Sequence, residues 1–159
     1  MTSVEELRQK LYEWCGRSVA CKKAADYYIA VLQNPCYPPA GRMTQKMRKF
    51  YMEAAEKHGP PPRCDVEKLV EERLRGTALE KYVHEIAELA KALKNLRNTT
   101  SRVAAAVAAV VVAEARGVKV TRESVAARFG VSYAAVRMHI REAARLYMEM
   151  RKGGGRPAP

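Results

Sequence analysis

The sequence predicts an all-α fold, and three observations predict it. Apolar residues recur at three- and four-residue spacing along most of the chain. Alternating apolar and polar runs, which would mark strands, are nearly absent. Glycine, proline and Ser/Thr/Asp punctuation cuts the 159 residues into segments of helix length. That length accommodates one domain or two small ones, and 48% apolar residues suffice for a sizeable core.

Each element has a local reason. Thr2 or Ser3 followed by Glu5 or Glu6 is a capping-box start for a helix carrying Val4, Leu7, Leu11 and Trp14 on one face and stopping near Gly16. Ser18 caps the next helix, which runs to about Leu32. Asn34 to Gly41 holds three prolines, which lack amide donors and force the preceding residues toward extended geometry, so it reads as a rigid loop. A third helix has Met43, Met47, Phe50 or Tyr51, and Ala54 at helical spacing and ends at His58-Gly59, before Pro60-Pro61-Pro62. This second proline run sets the expected boundary: residues 1–62 as an N-terminal helical region for dimerisation or partner binding, and 63–150 as a second helical domain.

In that second part, Asp65 to Arg75 reads as a short charged helix stopped by Gly76. Thr77 and Glu80 form a capping box for a longer helix with Leu79, Val83, Ile86, Ala90 and Leu93 in a stripe, ending around Asn98. Thr100 or Ser101 caps an Ala/Val-rich helix that is apolar nearly all round, expected as the buried centre of this half and closed by Gly117. Its apolar run, Val103 to Ala113, is flanked by Arg102 and Glu114 and falls short of the roughly 20 residues of a membrane span. Residues 151–159, with Gly153-Gly154-Gly155-Arg156-Pro157-Ala158-Pro159, read as a flexible tail.

Charge narrows the partners. The net formal charge is +12 and the isoelectric point near 9.8, which favours a polyanion over a neutral metabolite. The charge is +5 up to Cys64, zero from Asp65 to Arg97, and +7 from Ser101 onward, so the C-terminal third is the most cationic. No N-terminal stretch combines a basic start, an apolar run and a small-residue cleavage site; the expectation is a cytoplasmic protein.

Thr121 to Glu142 has the spacing of a helix-turn-helix, within 121–150. Ala126 is small where two helices approach, Gly130 supplies a left-handed turn residue, and Val125, Phe129, Val131, Val136 and Ile140 fill the wedge between helices. Ser132 is the expected N-cap of the second helix. That helix then turns Ser132, Tyr133, Ala134, Arg137, Met138 and Arg141 outward, where side chains reach base edges in a major groove. Tyr133, Arg137, Arg141 and Arg145 are four apart and predict one stripe, with Arg137 and Arg141 as base contacts. Thr121 and Arg122, at the start of the first helix, suit phosphate. Glu123 and Glu142 interrupt the positive field.

The run Ser101-Arg-Val-Ala-Ala-Ala-Val-Ala-Ala-Val-Val-Val-Ala, then Gly117-Val-Lys-Val-Thr-Arg-Glu-Ser-Val-Ala and Gly130-Val-Ser-Tyr-Ala-Ala-Val-Arg, resembles the last three helices of the second cyclin-like repeat of archaeal transcription factor B. The resemblance covers about the last third of the chain. It implies an Ala-rich core helix and a final helix-turn-helix that reads duplex beside a promoter element, and it maps contact onto Ser132, Tyr133, Arg137 and Arg141. The paired Cys-x-x-Cys zinc ribbon of that family has no counterpart here, so a small transcription-factor-like DNA binder is implied rather than a complete initiation factor. The same residues also resemble the generic helix-turn-helix of bacterial and archaeal regulators, without a strand pair to make a wing.

Other constellations weigh less. Cys15, Cys21, Cys36 and Cys64 lack the short paired spacing of structural zinc sites, so no metal is expected and buried thiols are the default. The alternative is one disulfide involving Cys36 or Cys64, as in hyperthermophile cytosolic proteins, a source with which the Lys/Arg/Glu-rich and Ala/Val-rich composition is compatible. His58, His84 and His139 are scattered outside any catalytic arrangement, and no glycine loop cradles phosphate, so no enzyme, cofactor or small-molecule substrate is expected. Arg42, Lys46 and Lys49 line one side of the third helix as a second basic patch, and core packing accounts for the aromatics beside them better than base stacking does.

The expected function is therefore a DNA-binding protein in transcription regulation. Its expected partners are duplex DNA, a second copy of the chain or the transcription machinery. The alternative is a non-catalytic assembly or adaptor protein that binds RNA or an acidic protein and uses the helix-turn-helix as a packing unit.

Overall fold

A computed structural model describes residues 3–39, 41–97 and 99–153. Every regular element among them is helical, in two compact units that divide between Cys64 and Asp65.

The N-terminal unit holds α1 (Val4–Cys15), α2 (Val19–Gln33) and α3 (Gln45–His58). Each opens on a hydroxyl that accepts from the third amide along: Ser3 from Glu6 at 3.1 Å, Ser18 from Cys21 at 3.2 Å and Thr44 from Met47 at 3.1 Å. The alternative cap Thr2 lies outside the described residues. Helix α2 packs against both neighbours. Leu11, Ala25, Tyr28, Ile29 and Ala54 are buried together with Cys15 and Cys21, and Trp14, Phe50 and Tyr51 close over them. The Trp14 and Phe50 rings meet edge-on at 6.0 Å, and Tyr51 meets Tyr27 and Tyr28 in the same way at 5.6 and 5.8 Å. The Tyr28 hydroxyl donates to the Gly59 carbonyl at 2.5 Å. The aromatics of α3 thus belong to the core.

All four cysteines are bonded, which corrects the expectation of buried thiols. Cys15–Cys21 clamps the α1–α2 turn, and Cys36–Cys64 ties the proline loop to the strand of coil beyond α3. Few large side chains reach the interior here, and the two cross-links supplement a core that three short helices leave small.

The second unit holds α4 (Val66–Leu74), a 3-10 turn at Glu80–Tyr82, α5 (Val83–Leu96), α6 (Ser101–Ala115), α7 (Arg122–Arg128), α8 (Tyr133–Arg137) and α9 (Ile140–Gly153). Helix α6 is its axis. Every residue from Ala104 to Ala113 is at most 6% exposed, and α4, α5, α7, α8 and α9 all touch it. Its alanines let five neighbours approach closely. Thr100 caps its start, and its end is a Schellman closure: Gly117 sits at φ 70° and the Val118 amide reaches back to the Ala113 carbonyl at 2.9 Å.

The Thr77/Glu80 capping box does not open α5. The Thr77 hydroxyl donates to the Leu74 carbonyl at 2.6 Å and accepts from Leu79 at 3.2 Å, and the Glu80 carboxylate turns back to the Gly76 amide at 2.8 Å. These bonds close the end of α4 and tuck Leu79 inside, so regular α-helix resumes only at Val83. Helix α5 ends at Leu96, and the expected end at Asn98 lies outside the described residues. Residues 151–153, expected as the start of a flexible tail, are helical: α9 continues through Gly153, with the Arg151 guanidinium 5.6 Å over the Tyr147 ring. Gly154 to Pro159 lie outside the described residues.

Candidate nucleic-acid interface

The turn between α7 and α8 is built as its residue types dictate. Thr121 caps α7 by accepting from Ser124 at 3.1 Å, and Ser132 caps α8 by accepting from Ala135 at 3.2 Å. Gly130 sits at φ 65°, and the amides of Gly130 and Val131 return to the Ala127 and Ala126 carbonyls at 3.0 and 3.1 Å. Val125, Ala126, Phe129 and Val136 are buried, with Val131 and Ile140 at the rim. The wedge residues thereby fix which side of α8 faces outward.

The single stripe expected from Tyr133 to Arg145 is broken. The helix stops at Arg137, Met138 and His139 make a turn in which the His139 amide donates to Val136 at 3.1 Å, and α9 starts at Ile140. Helix α8 is held by α6 and α7, whereas α9 packs on α6 and α5, so the chain bends between them. Tyr133 and Arg137 lie on the short helix, Arg141 and Arg145 on the long one.

Four of the expected contact residues, Thr121, Arg122, Ser132 and Tyr133, are engaged internally. Arg122 grips Glu114 through two nitrogens at 2.7 and 3.0 Å and donates to the Tyr133 hydroxyl at 3.4 Å. The bonds to Glu114 and then Tyr133 hold the Arg122 charge on more firmly still. Arg122 therefore locks the N-terminus of α7 to α6 instead of offering a free cation to phosphate. The hydroxyls of Thr121 and Ser132 serve as caps.

The remaining residues flank the bend. Arg137 is exposed with its guanidinium 5.9 Å over the Tyr133 ring, and Met138 beside it is 80% exposed. A groove of about 400 Å³ follows, lined by Arg97, Met138, His139, Arg141, Glu142 and Arg145. Arg97, at the end of α5, clasps Glu142 through two nitrogens at 2.6 and 2.5 Å. That clasp, aided by the charges of His139 and Arg145, holds the Glu142 carboxyl below its ordinary value. The acid that interrupted the positive field in sequence is thus neutralised in place. Arg141 and Arg145 are exposed and have no carboxylate within ion-pair distance among the described residues. Sequence reading missed Arg97, because 45 residues separate it from Glu142 and no local pattern marks the pair.

A larger groove of about 620 Å³ runs past His84, Glu85, Arg116, Tyr147 and Arg151. Its polar groups satisfy one another: Arg116 clasps Glu85 at 2.9 Å, and the Tyr147 hydroxyl donates to the same carboxylate. Burial pushes the Glu85 carboxyl up, but the hydrogen bonds from Arg116 and Tyr147 outweigh it and leave it below its ordinary value. On the N-terminal unit, Arg42, Lys46 and Lys49 are exposed, together with Arg48.

Among the described residues no group of three or more His, Cys, Asp or Glu could hold a metal ion, and no helix is long and apolar enough to cross a membrane. Comparison with protein-family models, with curated proteins and with solved structures finds no match for this chain.

Proposed function

We propose that the C-terminal unit binds duplex DNA as a small, transcription-factor-like regulator in the cytoplasm. On this reading α6–α9 serve as the cyclin-like helix-turn-helix unit that the sequence resemblance implies, and α8 enters a major groove. One observation carries it: Arg137, Met138 and Arg141 are all exposed within five residues across the α8–α9 bend, while Val136 on α8 is fully buried. Arginine offers a two-pronged donor to guanine, and a projecting thioether suits the thymine methyl. Arg145, farther along, supplies charge to phosphate. Arg122 and the hydroxyls of Thr121 and Ser132 act as scaffold in this account.

Fluorescence anisotropy tests it with random-sequence duplex DNA, single-stranded DNA and duplex RNA of equal length at two salt concentrations. The expected result is preference for duplex DNA with steep loss of affinity as salt rises. On a selected site, Arg137→Ala should cost about 1–3 kcal/mol and relax sequence preference, whereas Arg145→Ala should weaken all duplexes alike and flatten the salt slope by about one. Absence of binding at low salt would make the α7–α8 pair a packing unit and turn the search to protein partners.

A further inference from the structure

The N-terminal unit carries a cationic surface that the function proposed above does not use. From Tyr27 to Met52 the sequence contains no acidic residue, and its four cations, Arg42, Lys46, Arg48 and Lys49, fall within eight consecutive positions. All four are exposed. Elsewhere Arg8, Arg75, Arg97, Arg116 and Arg122 each pair with a carboxylate within 4.0 Å, yet none of these four does among the described residues. Four like charges crowded without counterions repel one another and favour an external polyanion.

The other side of the same helix limits what that polyanion contact can be. Phe50 and Tyr51 pack edge-on against Trp14, Tyr27 and Tyr28, and Ala54 is buried among them. No aromatic ring of α3 is left for base stacking. The helix is anchored by one face, while its exposed face carries the cations together with Met52, Glu53 and Glu56; cations without a free ring beside them suit phosphates and carry no base readout.

We propose that Arg42, in the loop just ahead of α3, and Lys46, Arg48 and Lys49 in its first turns form a second DNA-contacting surface that grips the phosphate backbone of duplex DNA independently of sequence. The choice of duplex as the ligand rests on the reading of the C-terminal unit, and the two surfaces stand or fall separately in the test. Two weak contacts joined by one chain bind more tightly than either, because the second contact forms at high effective concentration. The N-terminal unit would then supply affinity and the α8–α9 bend sequence preference.

The test uses the full-length, disulfide-intact chain and a 24-bp random-sequence duplex, titrated across a salt series. Three variants are compared with the wild type: Arg42→Gln/Lys46→Gln/Arg48→Gln/Lys49→Gln, Arg137→Ala/Arg141→Ala, and their combination. Each neutralised phosphate contact lowers the log–log salt slope by about 0.9, so the α3 variant should lose roughly 2–4 from the slope. Acetylation read by mass spectrometry is the second measurement: duplex should protect Lys46 and Lys49 but not the exposed Lys10. An unchanged slope, or Lys46 and Lys49 acetylated as fast with duplex as without, would overturn the proposal even if the Arg137/Arg141 variant lost binding. A reduced slope in the α3 variant with no effect of the Arg137/Arg141 changes would support it and overturn the C-terminal reading. Failure of the wild type to bind at low salt would overturn both.

Discussion

Cutting the two disulfides should unfold the N-terminal unit and leave the other standing. Cys36–Cys64 closes a loop of 28 residues and Cys15–Cys21 one of 6. In the chain-entropy description these loops are worth about 3.6 and about 2.2 kcal/mol respectively, since the closure entropy grows with the logarithm of loop length. The loops do not overlap, so the two contributions should nearly add. A unit of this size has a net stability of roughly 3–10 kcal/mol, which the cross-links therefore rival. With an unfolding entropy of about 2.1 cal/mol/K per residue, loss of the longer loop alone should lower Tm by roughly 25 °C and loss of the shorter by about 16 °C. Differential scanning calorimetry with and without a phosphine reductant is the assay, alongside Cys36→Ser/Cys64→Ser and Cys15→Ala/Cys21→Ala. Two transitions are expected, and reductant should move only one, because no cysteine lies beyond residue 64. A calorimetric trace unmoved by reductant would refute the reasoning. Should the Cys15/Cys21 pair cost more than the longer loop, burial of these two residues, 9% and 1% exposed, would outweigh chain entropy.

Three further outcomes test the second unit. Phe129→Ala removes a ring that is fully buried where α7 turns toward α8, and should cost about 3–5 kcal/mol in urea unfolding followed by circular dichroism. Gly130→Ala places a side chain at φ 65°, and the left-handed strain should cost about 1–2 kcal/mol in the same measurement. Glu85 has a carboxyl lowered on balance by Arg116 and Tyr147 against the opposing effect of burial. Its stabilising contribution should be complete above the ordinary glutamate value of about 4.3 and fade as pH falls through the lower folded value. Thermal unfolding between pH 3 and 6 should show Glu85→Gln less pH-sensitive than the wild type, and equal slopes would remove Glu85 from the account.

Fold class and most helix limits were legible in the residue order because they depend on neighbours three or four positions apart. Ser3, Ser18, Thr100, Thr121 and Ser132 each accept from an amide three residues on, and Gly16, Gly117 and Gly130 close helices with positive φ. The apolar run of Val103 to Ala113 likewise marked a buried axis, since a helix with no polar face has to be covered on all sides. The Thr77/Glu80 pair carried the same local signal and misled, because burial of Leu79 and the open carbonyl at Leu74 competed for those side chains.

What the candidate interface offers a ligand was decided only in three dimensions. Arg122 and Tyr133 read as outward-facing until Glu114 takes the guanidinium, and Glu142 reads as a break in the positive field until Arg97, 45 residues earlier, neutralises it. The stripe from Tyr133 to Arg145 is continuous in sequence and broken in space, because α8 and α9 answer to different neighbours. Cysteine pairing follows the same rule: four cysteines allow three full pairings, and only the path of the proline loop brings Cys36 to Cys64. Caps, turns and periodicity are short-range physics and are written in the order of residues, whereas a charge pair or disulfide depends on which distant segments the packed core brings together.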